Sequence, residues 1–440
     1  MGNRGNFGSK LGVILATAGS AVGLGNIWRF PYECGMGGGA AFILVYILCI
    51  IVLALPVMLC EFILGRHAQT NAARAFAKVA KHKVWKYVGL LGIITSFLIL
   101  GYYIVVAGWT LEYLYTSVVG GFSSDSAQLT QFFTEFTSNP WKTIAVTIIF
   151  ILMTHLVVSG GVEKGIERAS KVMMPLLFIL LIVMCVCTLT LPNASKGLNF
   201  LINPDFSQIT PTVILGALGQ SFFSLSVGMG ILVTYASYYT PNTNLTKTAL
   251  QICGIDTLVA LLAGLIIFPA AFSVGISPDS GASLVFITLP EVFQQAFSSM
   301  PTLGYIVSIL FYLLLILAAL TSTISLHEVV TSFVKEELHL SRHKAATIVT
   351  LLVTIVACIC AISSETFNFF DFFTANILLT IGGILLSVFV GWFIPRNVIV
   401  DQLSNGGTLK IYCLRLFIFT IRFICPICIM LIILHQFAVI

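Results

Sequence analysis

Charge is what this chain has least of. Asp, Glu, Lys and Arg together make up 9% of its 440 residues, where an average soluble domain carries about 25%. It also lacks a phosphate-binding Walker loop, a His/Cys metal cluster, a nucleophile–base pairing, and any stretch with the look of a soluble domain or low-complexity tail. Soluble enzymes, nucleic-acid binders, coiled coils and disordered proteins are thereby excluded. What fills the chain is apolar: 58% of residues are hydrophobic and mean hydropathy is +1.03. A water-soluble globule cannot hide that much apolar surface, so lipid must be the solvent for much of it. The net charge of +5 is a topology signal rather than a nucleic-acid footprint.

The cysteines, at 34, 49, 60, 185, 187, 253, 358, 360, 413, 425 and 428, sit almost entirely in apolar runs and are missing from the long polar loops. A disulfide framework would place them outside the membrane, so no disulfides are expected. Cys425-Pro426-Ile427-Cys428 has the spacing of a redox pair, but in a lipid-facing helix it reads as small polarizable filler. The apolar stretch Leu11–Ala16 is shorter than the roughly 7–15 residues of a signal-peptide core, so the N-terminus is expected to stay in the mature protein.

A spanning helix needs about 20 mostly apolar residues. That template gives eleven spans, approximately 9–32, 40–65, 86–118, 142–158, 169–190, 212–239, 248–274, 302–334, 345–363, 369–394 and 411–436. The third and eighth are long enough to tilt or project. Lys and Arg gather after the second, fourth, eighth and tenth spans, whereas the opposite loops hold Lys196 as their only basic residue. The positive-inside rule then places the N-terminus in the cytoplasm of a multi-pass plasma (inner) membrane protein. In the loop 275–301, a short helical lid is expected around Pro290-Glu291-Val292-Phe293.

Two spans are interrupted by glycine. The first contains Gly23-Leu24-Gly25 and the sixth Gly228-Met229-Gly230, five spans later, and each is flanked by polar side chains. Glycine can serve close helix packing. Two breaks in corresponding positions of two halves point instead to an inverted-repeat transporter with its site at the breaks, because opened backbone survives in a membrane only where it is buried in protein or lines a cavity. The charges inside spans are few: Arg29, Glu61, Glu112, Asp256, Glu328 and Asp371. Arg29 and Asp371 lie near the outer ends of the first and tenth spans and can pair across a vestibule. Arg4 and Glu336 can pair on the inner side. In the eighth span Thr321 and Ser322 follow Ala318 by one turn, so two hydroxyls and a carbonyl can converge as oxygen ligands for a hard cation. His155 and His327 each read as lone histidines, packed or bonded between helices.

Together these residues resemble the neurotransmitter:sodium symporter family, and in particular its bacterial amino-acid transporters. The run from Gly19 through Gly23-Leu24-Gly25-Asn26-Ile27-Trp28-Arg29-Phe30-Pro31 and the run Gln220-Ser221-Phe222-Phe223-Ser224-Leu225-Ser226 carry the match. The resemblance implies an all-α polytopic membrane protein with an inverted 5+5 helix repeat, the leucine-transporter-like fold, in one domain. Repeat one would cover about 9–190, repeat two about 212–394, with an eleventh helix at about 411–436. It also implies a pair of sodium ions. The first would meet Ala21, Asn26, Ser224, Asp256 and the substrate carboxylate; the second Gly19, Val22, Ala318, Thr321 and Ser322. The substrate carboxylate would meet Leu24, Gly25 and Tyr103, and its ammonium Ala21, Phe223, Ser224 and Ser226. Ile99, Val227, Met229, Ser325 and Leu326 would line the side-chain pocket under Phe223, and Glu61 would brace the opened sixth span. Gly165 and Pro175 match a pattern that lets the fifth span unwind in bacterial relatives.

The pocket so mapped is apolar, and Met repacks around different shapes, so a hydrophobic or aromatic L-amino acid is expected. Asp256 places a carboxylate at the first sodium site and Ala260 has no hydroxyl for an anion, so transport is expected to be independent of chloride. A proton-coupled permease on the same fold is the competing reading, and the neutral ligands of the second cation site argue against it. A membrane enzyme or channel is opposed by the missing catalytic cluster and the two broken spans.

Overall fold

The computed structural model describes residues 5–80, 82–275 and 284–437, and no strand occurs among them. Arg4, expected at the inner gate, lies outside these residues. Nine helices among the described residues are long and apolar enough to cross a membrane, and a bent pair supplies a tenth span. We number the membrane segments α1 to α11. The first is the bent pair, α1a (Lys10–Ala21) and α1b (Gly25–Met36), at 55° to each other. Then follow α2 (Ala40–Ala68), α3 (Lys83–Val119), α4 (Pro140–Ser159) and α5 (Val162–Leu189). The sixth is also broken, into α6a (Pro211–Ser224) and α6b (Ile231–Ala236). The rest are α7 (Leu245–Val274), α8 (Pro301–Glu337), α9 (Arg342–Ile362), α10 (Ser364–Phe393) and α11 (Leu414–Gln436).

The interruptions fall where glycine and polar residues predict them, and each is forced by its surroundings. Val22 leaves the helix in an extended conformation. A Cβ on Gly23 would lie 2.4 Å from Ser322 Oγ, so only glycine lets α1 approach α8 this closely. In α6, Ser226, Gly228 and Gly230 all have left-handed backbone, with φ of 53°, 89° and 76°. That conformation cannot continue a right-handed helix. The N–H groups this frees are taken by Glu61, a carboxylate buried in α2: its Oε1 accepts from Gly228 N at 2.6 Å and its Oε2 from Val233 N at 3.1 Å.

The architecture is the inverted five-plus-five arrangement. The broken α1 and α6 lie side by side, and α3 and α8, each 37 residues long, pack along one another beside the breaks. Two details differ from the sequence reading. The fifth span starts at Val162 with a π-helical turn rather than near 169, so Gly165 and Pro175 both lie within α5. The segments between spans carry helices of their own, Ser126–Thr137 and Ala194–Ile202, because their apolar residues dock onto the bundle. His155 and His327 make interhelical hydrogen bonds as expected, both to Thr350 Oγ1, at 2.8 and 2.9 Å, with their rings 6.5 Å apart, tying α4, α8 and α9. The helical lid is present as Leu289–Ala296.

Candidate transport site

The two breaks meet at the centre of the bundle. Ser226 Oγ donates to the Ser20 carbonyl at 3.1 Å, and Gln220 Nε2 to the Gly25 carbonyl at 3.3 Å. Between them and α3 and α8 is a cavity of about 50 Å³. Its wall includes Ala21, Leu24, Gly25, Ile99, Tyr103, Phe223, Ser224, Ser226, Met229, Ser325 and Leu326, all named from the sequence. Tyr103 Oη accepts from Leu24 N at 3.2 Å, which fixes a hydroxyl beside the opened backbone of α1. Val227 is fully buried and is not on this wall, because left-handed Ser226 turns the following side chain away. Ser20, Tyr102 and Ile231 are on the wall and were not foreseen. Ser20 and Ile231 belong to α1a and α6b, so only the folding of the breaks together brings them here.

Where the resemblance implies the first cation, the protein places a donor of its own. Asn26 Nδ2 donates to Asp256 Oδ1 at 2.7 Å, to Ser224 Oγ at 3.1 Å and to the Asp256 carbonyl at 3.2 Å. Three oxygens thus converge on one partly positive nitrogen, buried from solvent. Such a set suits a hard cation, provided the amide turns to present its oxygen. Ser224 Oγ also donates to Asp256 Oδ2 at 2.8 Å. Tyr46 is buried beside Ser224 and Asp256, and Gln220 Oε1 is buried with no hydrogen-bond partner among the described residues. Gln220 was within reach of the sequence reading, since it belongs to the sixth-span motif, but it was given no role.

The second position is built from α1a and α8. Thr321 Oγ1 donates to the Ala318 carbonyl at 2.9 Å and the Val22 carbonyl at 3.2 Å, and Ser322 Oγ reaches the Val22 carbonyl at 3.3 Å. Gly19 packs directly on Thr321. Two hydroxyls and two carbonyls at the C-terminal end of a broken helix, where the backbone dipole is negative, form a neutral oxygen set that fits a monovalent hard cation.

At the outer end the structure differs from the expected gate. Arg29 makes no ion pair with Asp371 among the described residues. Its Nε lies 3.7 Å from Glu33 Oε1, and its guanidinium stands 4.6 Å above the Phe223 ring. The i,i+4 spacing of Arg29 and Glu33 on α1b was legible in the sequence. At the other end, Glu336 Oε2 accepts from Thr70 Oγ1, Asn71 N and Asn71 Nδ2 at 2.9 to 3.0 Å, which docks the short helix Ala72–Val79 onto α8. Arg74 of that helix pairs with Glu337 at 2.7 Å, a contact that holds its guanidinium above the ordinary arginine range. Glu328, buried within α8, has Arg342 as its counter-ion and accepts from Tyr238 Oη; the sequence showed Arg342 only as a basic residue after the eighth span.

A family model, described as the sodium:neurotransmitter symporter family, matches residues 4–128 and 122–440. The chain belongs to this family. It is therefore a membrane transporter and not an enzyme, a symporter of sodium with a small-molecule substrate. Among its relatives is an uncharacterized sodium-dependent transporter of Bacillus subtilis, 38% identical over 98% of this chain and 97% of the relative. Another, from Haemophilus influenzae, is 34% identical over 91% and 92%. Of solved structures, MhsT in complex with L-phenylalanine superposes with a TM-score of 0.87 at 39% identity, covering 99% of this chain and 100% of that one.

Proposed function

We propose that this protein imports a hydrophobic or aromatic L-amino acid by alternating access, with two sodium ions per substrate and without chloride. The observation that carries the reading is the cavity at the two breaks. Opened backbone and the Tyr103 hydroxyl line one side of it, which suits the carboxylate and ammonium of an amino acid, and Ile99, Met229, Ile231 and Leu326 line the other. The L-phenylalanine bound by the similar MhsT supports a ligand of this class. The oxygen sets at Asn26/Ser224/Asp256 and at Val22/Ala318/Thr321/Ser322 support two cations. In this reading the N-terminus is cytoplasmic in the plasma membrane, with Arg29 and Asp371 at the outer gate and Arg4 and Glu336 at the inner one.

The test is uptake of a panel of labelled amino acids into proteoliposomes with and without a sodium gradient. Saturable, sodium-dependent uptake of Phe, Leu, Ile or Tyr is expected. Uptake of polar or charged amino acids alone, or uptake indifferent to sodium, would overturn the reading.

A further inference from the structure

Arg29 has two carboxylates within reach, and they sit on different parts of the molecule. Glu33 is four residues along α1b and meets Arg29 at 3.7 Å. Its other oxygen is turned toward α6a: a Cβ on Gly216 would lie 3.1 Å from Glu33 Oε2. His435 of α11 lies within electrostatic reach of the same carboxylate. Asp371 belongs to α10 and feels the charge of Arg29 and the hydroxyl of Tyr102. While Arg29 pairs with Glu33, its guanidinium stands over the Phe223 ring, which itself packs on Gly25 of α1b. The ion pair and the ring contact in that arrangement join only α1b and α6a, and among the described residues no ion pair ties Arg29 to α10. An Arg29–Asp371 pair would fasten them.

We propose that Glu33 is a second counter-ion of Arg29 and a positioning residue of the outer gate, and that gate closure is an exchange of Arg29 between Glu33 and Asp371. The proposal rests on the reading of Arg29 and Asp371 as that gate. The chemistry favours exchange over a fixed latch. At 3.7 Å, with side chains 31% and 23% exposed, the Arg29–Glu33 pair is long and partly wet, and such pairs are weak. A partly buried arginine with no counter-ion in a vestibule would be disfavoured whenever the gate opens; Glu33 reduces that cost by giving the charge a partner in the open arrangement. The cation–π contact with Phe223 holds the guanidinium above the cavity while it waits.

The experiment is distance measurement by spin labels at Met36→Cys on α1b and Phe369→Cys on α10, both exposed positions, in a full-length Cys413→Ser background reconstituted in lipid. Glu33→Gln leaves Asp371 as the only counter-ion, so the short α1b–α10 population should gain about threefold over the long one, in line with loss of one weak pair. Glu33→Asp keeps the charge and should keep the parent distribution. In an Arg29→Ala background Glu33→Gln should change nothing. A Glu33→Gln distribution equal to the parent, with Arg29→Ala lengthening the distance, would overturn the exchange and leave the gate. The same shortening in the Arg29→Ala background would show that Glu33 acts through packing and overturn the proposal. No response to either Arg29→Ala or Asp371→Asn would remove the gate itself.

Discussion

Glu61 Oε1 lies 2.6 Å from the Gly228 backbone nitrogen, so a carboxylate of α2 takes the hydrogen bond that the unwound part of α6 cannot make for itself. Its second oxygen serves Val233 N at the start of α6b. One side chain therefore holds both edges of the break. In Glu61→Gln one of the two N–H groups faces an amide NH₂ instead of an oxygen. Leaving a buried donor unsatisfied costs about 1–3 kcal/mol, so the thermal unfolding midpoint of the purified protein should drop and substrate affinity should weaken with it. Unchanged values for both would mean that the break is held by other contacts.

The Thr321 and Ser322 hydroxyls both approach the Val22 carbonyl. Thr321→Val combined with Ser322→Ala removes two oxygen ligands from the second cation position, and a desolvated ion cannot replace them. Stabilisation of the purified protein by sodium against heat should be lost, while the fold survives because both new side chains are apolar. Sodium stabilisation equal to that of the parent would place the ion elsewhere.

Asp256 brings a carboxylate to the centre of the first cation position, fully buried between Asn26 and Ser224. Two sodium ions with a net-neutral substrate leave excess positive charge in a low-dielectric cavity, and a fixed anion offsets it. Asp256→Asn with Ala260→Ser removes that anion and adds a hydroxyl one turn away. Uptake by the double variant should require chloride and fail in gluconate, while the parent should be equally active in both. A double variant fully active in gluconate would show that Asp256 does not compensate the charge.

Two sodium ions moving with a zwitterion carry two net charges. Each ion contributes about 2.3 kcal/mol per 100 mV and about 1.4 kcal/mol for a tenfold gradient. Together they support roughly 10⁵-fold accumulation by the same constants. A negative-inside potential imposed on proteoliposomes should therefore accelerate uptake, and the ratio of charge to substrate moved should be two. A ratio of one would reduce the coupling to a single ion, and electroneutral uptake would rule this stoichiometry out.

The sequence by itself determined the solvent, the spans and the places where spans must break. Scarce charge and long apolar runs leave no other class, and two Gly-x-Gly interruptions in corresponding spans mark backbone that must be buried in protein or line a cavity. Its resemblance to the family named the candidate site residues Asn26, Ser224, Asp256, Thr321 and Ser322, polar groups at membrane depth, where each needs a partner. Only the tertiary structure decided who those partners are. Arg342 had to be seen against Glu328 and both histidines against Thr350, because each pair joins residues from different helices and periodicity along one helix says nothing of its neighbour's register. It also turned Val227 off the cavity wall and brought Ser20 and Ile231 onto it, since left-handed backbone at Ser226 re-aims side chains in a way no helical spacing encodes. The partner of Arg29 was decided there too: two carboxylates are available in the sequence, and the fold places the guanidinium on Phe223 beside Glu33 rather than across the vestibule at Asp371.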